Sequence, residues 1–154
     1  MNDLKLIVEN INSKKLDLAL KQCEDYSVKE NLYLINNFIG VIYSFKNNEE
    51  LAENYFKKSH KLNEKFEDPL KNLYLINIRK KKYLEAINIA QKLNDINSTN
   101  DLFVYQLAYA YELNNDNLLA IENYEQCKVL NGKNKLKALN NIGNIYLKNN
   151  KPKT

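Results

Sequence analysis

Residues 39–56 read IGVIYSFKNNEELAENYF. An Ile-Gly pair is followed three residues on by Tyr43, then by the polar turn Lys46-Asn47-Asn48, and then by Ala52 with Phe56 one helical turn later. The same order returns in residues 107–124, LAYAYELNNDNLLAIENY, where Ala108, Tyr111, Ala120 and Tyr124 occupy the same places. Between them Ala86 stands 34 residues after Ala52 and 34 before Ala120, with Tyr74 twelve residues ahead of it and Ala90 four behind. Leu73 and Leu107 match Ile39, and Asn77 is the one slot of the set that is neither apolar, aromatic nor small. A fixed period of this length marks stacked supersecondary units.

Within each unit the apolar residues recur at three- and four-residue steps, one stripe along a helix. The small residue lets two antiparallel helices cross closely, and the aromatic fills the space beside it. Turn residues fall at constant offsets: Lys46-Asn47-Asn48, Lys80-Lys81-Lys82 and Asn114-Asn115-Asp116 separate the two helices of each pair. Asparagine tolerates the left-handed conformation that ends helices, so Asn47 and Asn115 can stand for glycine. Asp68-Pro69 reads as a helix cap followed by a first-turn proline, residues 98–101 supply caps for the next unit, and Asn131-Gly132 reads as a stop. The spacing predicts helices over about 2–12, 15–26, 31–45, 49–63, 68–80, 83–95, 101–113, 117–130 and 135–148.

The pattern Leu-Gly-x-x-Tyr followed by Ala-x-x-x-Phe at a 34-residue period resembles the tetratricopeptide repeat. IGNIY at 142–146 restarts it, and residues 4–26 follow it more loosely through Leu4, Ile7, Val8, Ile11, Ala19 and Cys23, with an interhelix turn that reads one residue shorter. The family's tryptophan position is held by Asn36, Leu70 and Val104. The resemblance implies an all-α, right-handed α-solenoid of four hairpins at about 1–32, 33–66, 67–100 and 101–134, closed by a capping helix at 135–149 and ending in a short basic tail, 150–154. One domain, 1–149, is expected. In the last helix Lys137, Asn140, Asn141, Asn144 and Lys148 make a polar, solubilising face, with Leu139, Ile142 and Tyr146 expected inward.

Composition agrees with helices, since two prolines and three glycines are too few for a protein of hairpins and strands. The 27 asparagines reflect general composition, so no single one is informative. Net charge is +4, with residues 1–77 holding 11 basic and 12 acidic groups and residues 78–154 holding 12 and 7. No acid follows Glu125. Cys23 and Cys127 lie 104 residues apart and read as small core residues of a reducing compartment. Met1–Lys15 has no sustained apolar segment, and no stretch is long enough to span a bilayer, so a cytoplasmic location is expected.

No catalytic constellation is visible. His60, the only histidine, lies among Lys57, Lys58 and Lys61 and reads as a solvated surface residue. One histidine and two distant thiols supply neither a metal site nor a nucleophile–base pair, and three scattered glycines make no phosphate loop, so neither cofactor nor metal is expected. The resemblance instead implies a groove lined by the first helix of each pair. Mapped onto this chain, that lining is Leu34, Asn37, Phe38, Val41 and Phe45, then Lys71, Asn72, Leu75 and Ile78, then Leu102, Tyr105, Gln106 and Tyr109, and finally Lys137, Asn140, Asn141 and Asn144. Val41, Phe45, Leu75, Tyr105 and Tyr109 form its apolar part, the kind of patch that marks interaction sites. Asn72, Gln106 and Asn141 make a row of amides able to hold a peptide backbone.

The expectation is a non-catalytic scaffold or adaptor taking a peptide or helix of a partner protein. A small cytosolic secretion-type chaperone for an apolar client is the alternative. Some members of the family clamp acidic chaperone tails with Lys, Asn and Arg. The matching positions here hold Lys5, Glu9, Phe38, Asp68 and Asn72, where Glu9 and Asp68 repel a carboxylate, or Lys71, Leu75, Gln106, Lys137 and Asn141, which lack the arginine. RNA binding through Arg79–Lys82 and the basic end is disfavoured by the 34-residue period and the small net charge. Self-association through an exposed end of the stack is a further reading.

Overall fold

The computed structural model describes residues 2–149, so the basic tail at 150–154 lies outside the described residues. Among these the chain forms nine α-helices and no strand: α1 (Asn2–Asn12), α2 (Leu16–Glu24), α3 (Leu32–Phe45), α4 (Glu49–Leu62), α5 (Glu67–Arg79), α6 (Tyr83–Ile96), α7 (Asp101–Leu113), α8 (Asn117–Leu130) and α9 (Lys135–Asn149). A 3₁₀ turn, Lys29–Asn31, precedes α3. The helices gather into two compact units that divide between Ile76 and Asn77.

The hairpin turns repeat with the sequence. Lys14, Asn47, Lys81 and Asn115 all adopt left-handed backbone, with φ of 58°, 58°, 56° and 65°. The next residue's amide reaches back to the carbonyl five residues earlier in every case: Lys15 to Asn10, Asn48 to Tyr43, Lys82 to Asn77 and Asp116 to Tyr111, each at 2.9 Å. This pattern satisfies the orphan carbonyls at the end of the first helix. The carbonyl of that same residue then accepts from Ala19, Ala52, Ala86 or Ala120, starting the second helix. The repeated alanine is therefore fixed by turn geometry as well as by packing, and all four are fully buried. The turn between α1 and α2 has the same length as the others, contrary to the shorter one expected. The shortening lies after it, where α2 stops at Glu24 while α4, α6 and α8 each run for 14 residues. Asp68-Pro69 is likewise inside α5, which starts at Glu67; the proline remains in the first turn, where no helix bond needs its missing N–H.

In the first unit α1 packs on α2, α2 on α3 and α3 on α4. Ile7, Ile11, Ala19 and Cys23 meet Ile35, Ile39 and Ile42 of α3. Val8, one of the residues through which 4–26 follow the repeat, is exposed. On the adjoining side of α3, Gly40 faces the ring of Phe56 so closely that an added Cβ would lie 2.6 Å from it. The second unit repeats the arrangement, with α6 on α7, α7 on α8 and α8 on α9. Val104 and Ala108 of α7 and Ala120, Tyr124 and Cys127 of α8 enclose a core with Ala138, Ile142 and Ile145 of α9. Ser59 donates to the Tyr33 carbonyl at 2.6 Å, and Cys127 donates to the Asp101 carbonyl at 3.4 Å, the same link in corresponding hairpins.

Every first helix thus has an inner set spaced three and four apart. These are Ile35, Ile39 and Ile42 in α3; Pro69, Leu73 and Ile76 in α5; Phe103, Leu107 and Ala110 in α7; and Ala138, Ile142 and Ile145 in α9, all buried. The step is 34 residues until α9, where it becomes 35, although α9 starts 34 residues after α7 and the connection before it, 131–134, is no longer than 97–100. One residue is about 100° of helix, so this register decides which side of α9 faces out. Leu139 and Tyr146, expected inward, are exposed, along with Leu136 and Leu147. The last helix does not present a purely polar face to solvent, and the solubilising cap read from its asparagines and lysines is corrected accordingly.

Candidate partner-binding faces

In the first unit the groove residues lie on α3 and α5, and they have different environments. Phe45, 53% exposed, and Leu75, 50% exposed, are large apolar side chains open to solvent. Val41 is half-buried against the core of α1, α2 and α3. Asn37 is buried with its Oδ1 lacking a hydrogen-bond partner, so it is not available to a ligand. Lys71 is held by its own helix: its Nζ lies 2.9 Å from Glu67 and 3.2 Å from Asp68. Burial acts to lower the Lys71 pKa, but the two carboxylates outweigh it and the net shift is upward. The Asn72 amide donates back to the Asp68 carbonyl at 3.0 Å. Both polar members expected from α5 thus have partners one turn away.

The second unit assembles its members more tightly. Tyr105 and Tyr109, one turn apart on α7, stack with ring centroids 6.3 Å apart and planes within 7°. Tyr105 also meets the Tyr124 ring at 5.5 Å. Asn141 reaches in from α9 and donates its amide to Tyr124 Oη at 2.6 Å and to Tyr105 Oη at 3.3 Å. Tyr124 in turn donates its hydroxyl proton to Glu112 at 2.7 Å. Burial raises the pKa of both phenols, most strongly for Tyr124, with the nearby Glu112 carboxylate adding to it. Each therefore keeps its proton as a donor. Gln106 is half-exposed beside this group, and Lys137 is exposed on α9.

The amide row does not behave as one feature. Asn141 bonds the tyrosine hydroxyls, whereas Asn72 bonds its own helix. The Glu112–Tyr124–Asn141–Tyr105 network was not anticipated from sequence. Its one signal is Tyr124 itself, because a tyrosine in a buried aromatic slot needs a partner for its hydroxyl. His60, expected on the surface, is half-buried with Nδ1 shielded from solvent. Burial also lifts the thiols, Cys23 to about 11. Among the described residues no cluster of three His, Cys, Asp or Glu could hold a metal, and no helix is long and apolar enough to cross a membrane.

Comparison with known proteins places these observations. The tetratricopeptide repeat model matches residues 34–66 and 103–134. No curated protein sequence matches the chain. Solved structures do. MamA (residues 41 to the end) from Desulfovibrio magneticus RS-1 superposes with a TM-score of 0.78 at 15% identity, covering 97% of this chain and 86% of that one. The N-terminal domain of stress-induced protein-1 from C. elegans gives 0.67 at 12% identity, over 79% of this chain and 99% of that one. The first such domain of Spaghetti (RPAP3), bound to the HSP90 peptide SRMEEVD, gives 0.67 at 18% identity, over 78% and 94%. At these identities the likeness is one of fold, an all-α helical-repeat solenoid. Together with the turn and alanine spacing, the two matched segments identify tetratricopeptide repeats in this chain at residues 34–66 and 103–134.

Proposed function

We propose that the chain is a non-catalytic interaction module that takes a peptide or helical segment of a partner protein on its first-helix faces. The observation that carries this reading is the stacked Tyr105–Tyr109 pair, braced from behind by Asn141 and Tyr124 and half-open to solvent. Rigid aromatic side chains offer large contact area at low entropic cost, and they dominate binding energetics where they are found. Tyr105 accepts from Asn141, which leaves its own proton for an incoming carbonyl. On the first unit Phe45 and Leu75 supply a separate apolar contact.

An acidic peptide of the kind bound by the Spaghetti domain is a poor fit to the first unit, because Glu67 and Asp68 already engage Lys71. The exposed Phe45 and Leu75 favour an apolar segment, which is also what a secretion-type chaperone would hold. Affinity capture from the native cell should recover one partner with the unaltered chain and lose it with Tyr109→Glu. Tyr109 is the better test because Tyr105 also packs against Tyr124. Unchanged capture by Tyr109→Glu and by Phe45→Glu would overturn the reading. A membrane-inserting client among the captured proteins would favour the chaperone.

A further inference from the structure

Gly40 and Gly143 hold the same place in IGVIY and IGNIY, yet their surroundings are opposite. A Cβ on Gly40 would strike Phe56 of α4, the second helix of its own hairpin, whereas a Cβ on Gly143 would meet nothing within 4 Å. Around Gly143 the outer side of α9 exposes Leu136 (73%), Leu139, Tyr146 and Leu147 (66%). Leu139, Gly143 and Tyr146 are the slots that α3 fills with Asn36, Gly40 and Tyr43, of which Gly40 and Tyr43 face Phe56 and Tyr55 of α4. This side of α9 is thus the half of a hairpin crossing that awaits a second helix.

We infer that an acidic amphipathic helix of a partner protein docks here, antiparallel to α9, as the second helix of a fifth hairpin. Charge argues for that occupant. Lys135 and Lys137 stand at the start of the stripe, Lys148 at the far end of α9 lies 3.9 Å from Glu112 of α7, and the helix has no acid. A second copy of α9 would bring the same cations to the same interface, and like charges facing each other disfavour a pair. A helix with a small residue opposite Gly143, an aromatic one turn later and acidic flanks satisfies both shape and charge.

The chain itself provides a probe. A peptide of residues 48–63 keeps Ala52 and Phe56, the pair that serves Gly40, and the changes Lys57→Glu, Lys58→Glu and Lys61→Glu give it acidic flanks along its length. Titrated into the intact protein, it should bind once per chain and weaken with salt. Gly143→Leu should weaken it about tenfold or more by filling the crossing, while the melting temperature of that variant is not lowered, because the site is open. Equal binding to Gly143→Leu overturns the proposal. So does equal affinity for the unaltered 48–63 peptide, which would remove the charge argument. Dimerisation of the protein that disappears in Gly143→Leu would assign the face to a second copy instead.

Discussion

The second hairpin and α9 carry nearly the same five letters and use them differently. In IGVIY the glycine lies under Phe56 at the helix crossing; in IGNIY it faces open space beside exposed Leu139 and Tyr146. The repeat pattern therefore encodes a face, and only a following second helix turns that face into core. The other side of each helix is more uniform: Ile35, Ile39 and Ile42 are buried against the preceding hairpin just as Ala138, Ile142 and Ile145 are. A first helix can consequently be well anchored on one side and unfinished on the other.

The largest effect should come from opening the covered glycine. Phe56→Ala makes the Gly40 side of α3 resemble α9, and it should cost about 3–5 kcal/mol in a denaturant titration. Ala120→Leu overpacks the crossing in the second unit and should cost about 1–3 kcal/mol. An unchanged melting temperature there would break the register on which the comparison rests. Tyr124→Phe removes the hydroxyl between Asn141 and Glu112, loosening the anchored side of α9, and should cost about 1–3 kcal/mol. Hydrogen exchange should then rise in α9 more than in α3.

A smaller effect concerns Cys23, in the slot that Phe56 fills one unit later. Its thiol is raised from 9.0 to about 11 by burial, with Glu24 adding to the shift. The folded chain favours the neutral form, so this contribution to stability is complete below pH 9 and is lost as pH rises towards 11. Alkylation of Cys23 at neutral pH should accordingly be much slower than in the unfolded chain. The smallest effect is a gain: Lys81→Gly relieves the left-handed backbone at φ 56° and should stabilise by about 1 kcal/mol.

Much of the fold was legible because turn chemistry and packing mark the same spacing. Asn47 and Asn115 announce the left-handed turns, and Ala52, Ala86 and Ala120 the crossings that follow. The orientation of α9 was less legible. Its polar and apolar residues are spread widely around the helix, and its buried set falls one residue off the 34-residue step although the preceding connection is no longer than the others. The candidate site was readable as a set of positions but not as a set of environments. Sequence cannot show that Lys71 is held by Glu67 and Asp68, or that Asn141 is spent on two tyrosines. Those depend on side-chain reach within a turn or across helices, where several partners compete.

The most direct test sets the two glycines side by side in one thermal melt. Gly40→Ala places a methyl against the buried Phe56 ring and should cost about 1–3 kcal/mol, a drop of about 2–10 °C. Gly143→Ala gains helix propensity in open space and should raise stability by about 1 kcal/mol. Opposite signs are predicted; equal destabilisation by both substitutions would show that the α9 face is already covered and contradict the account.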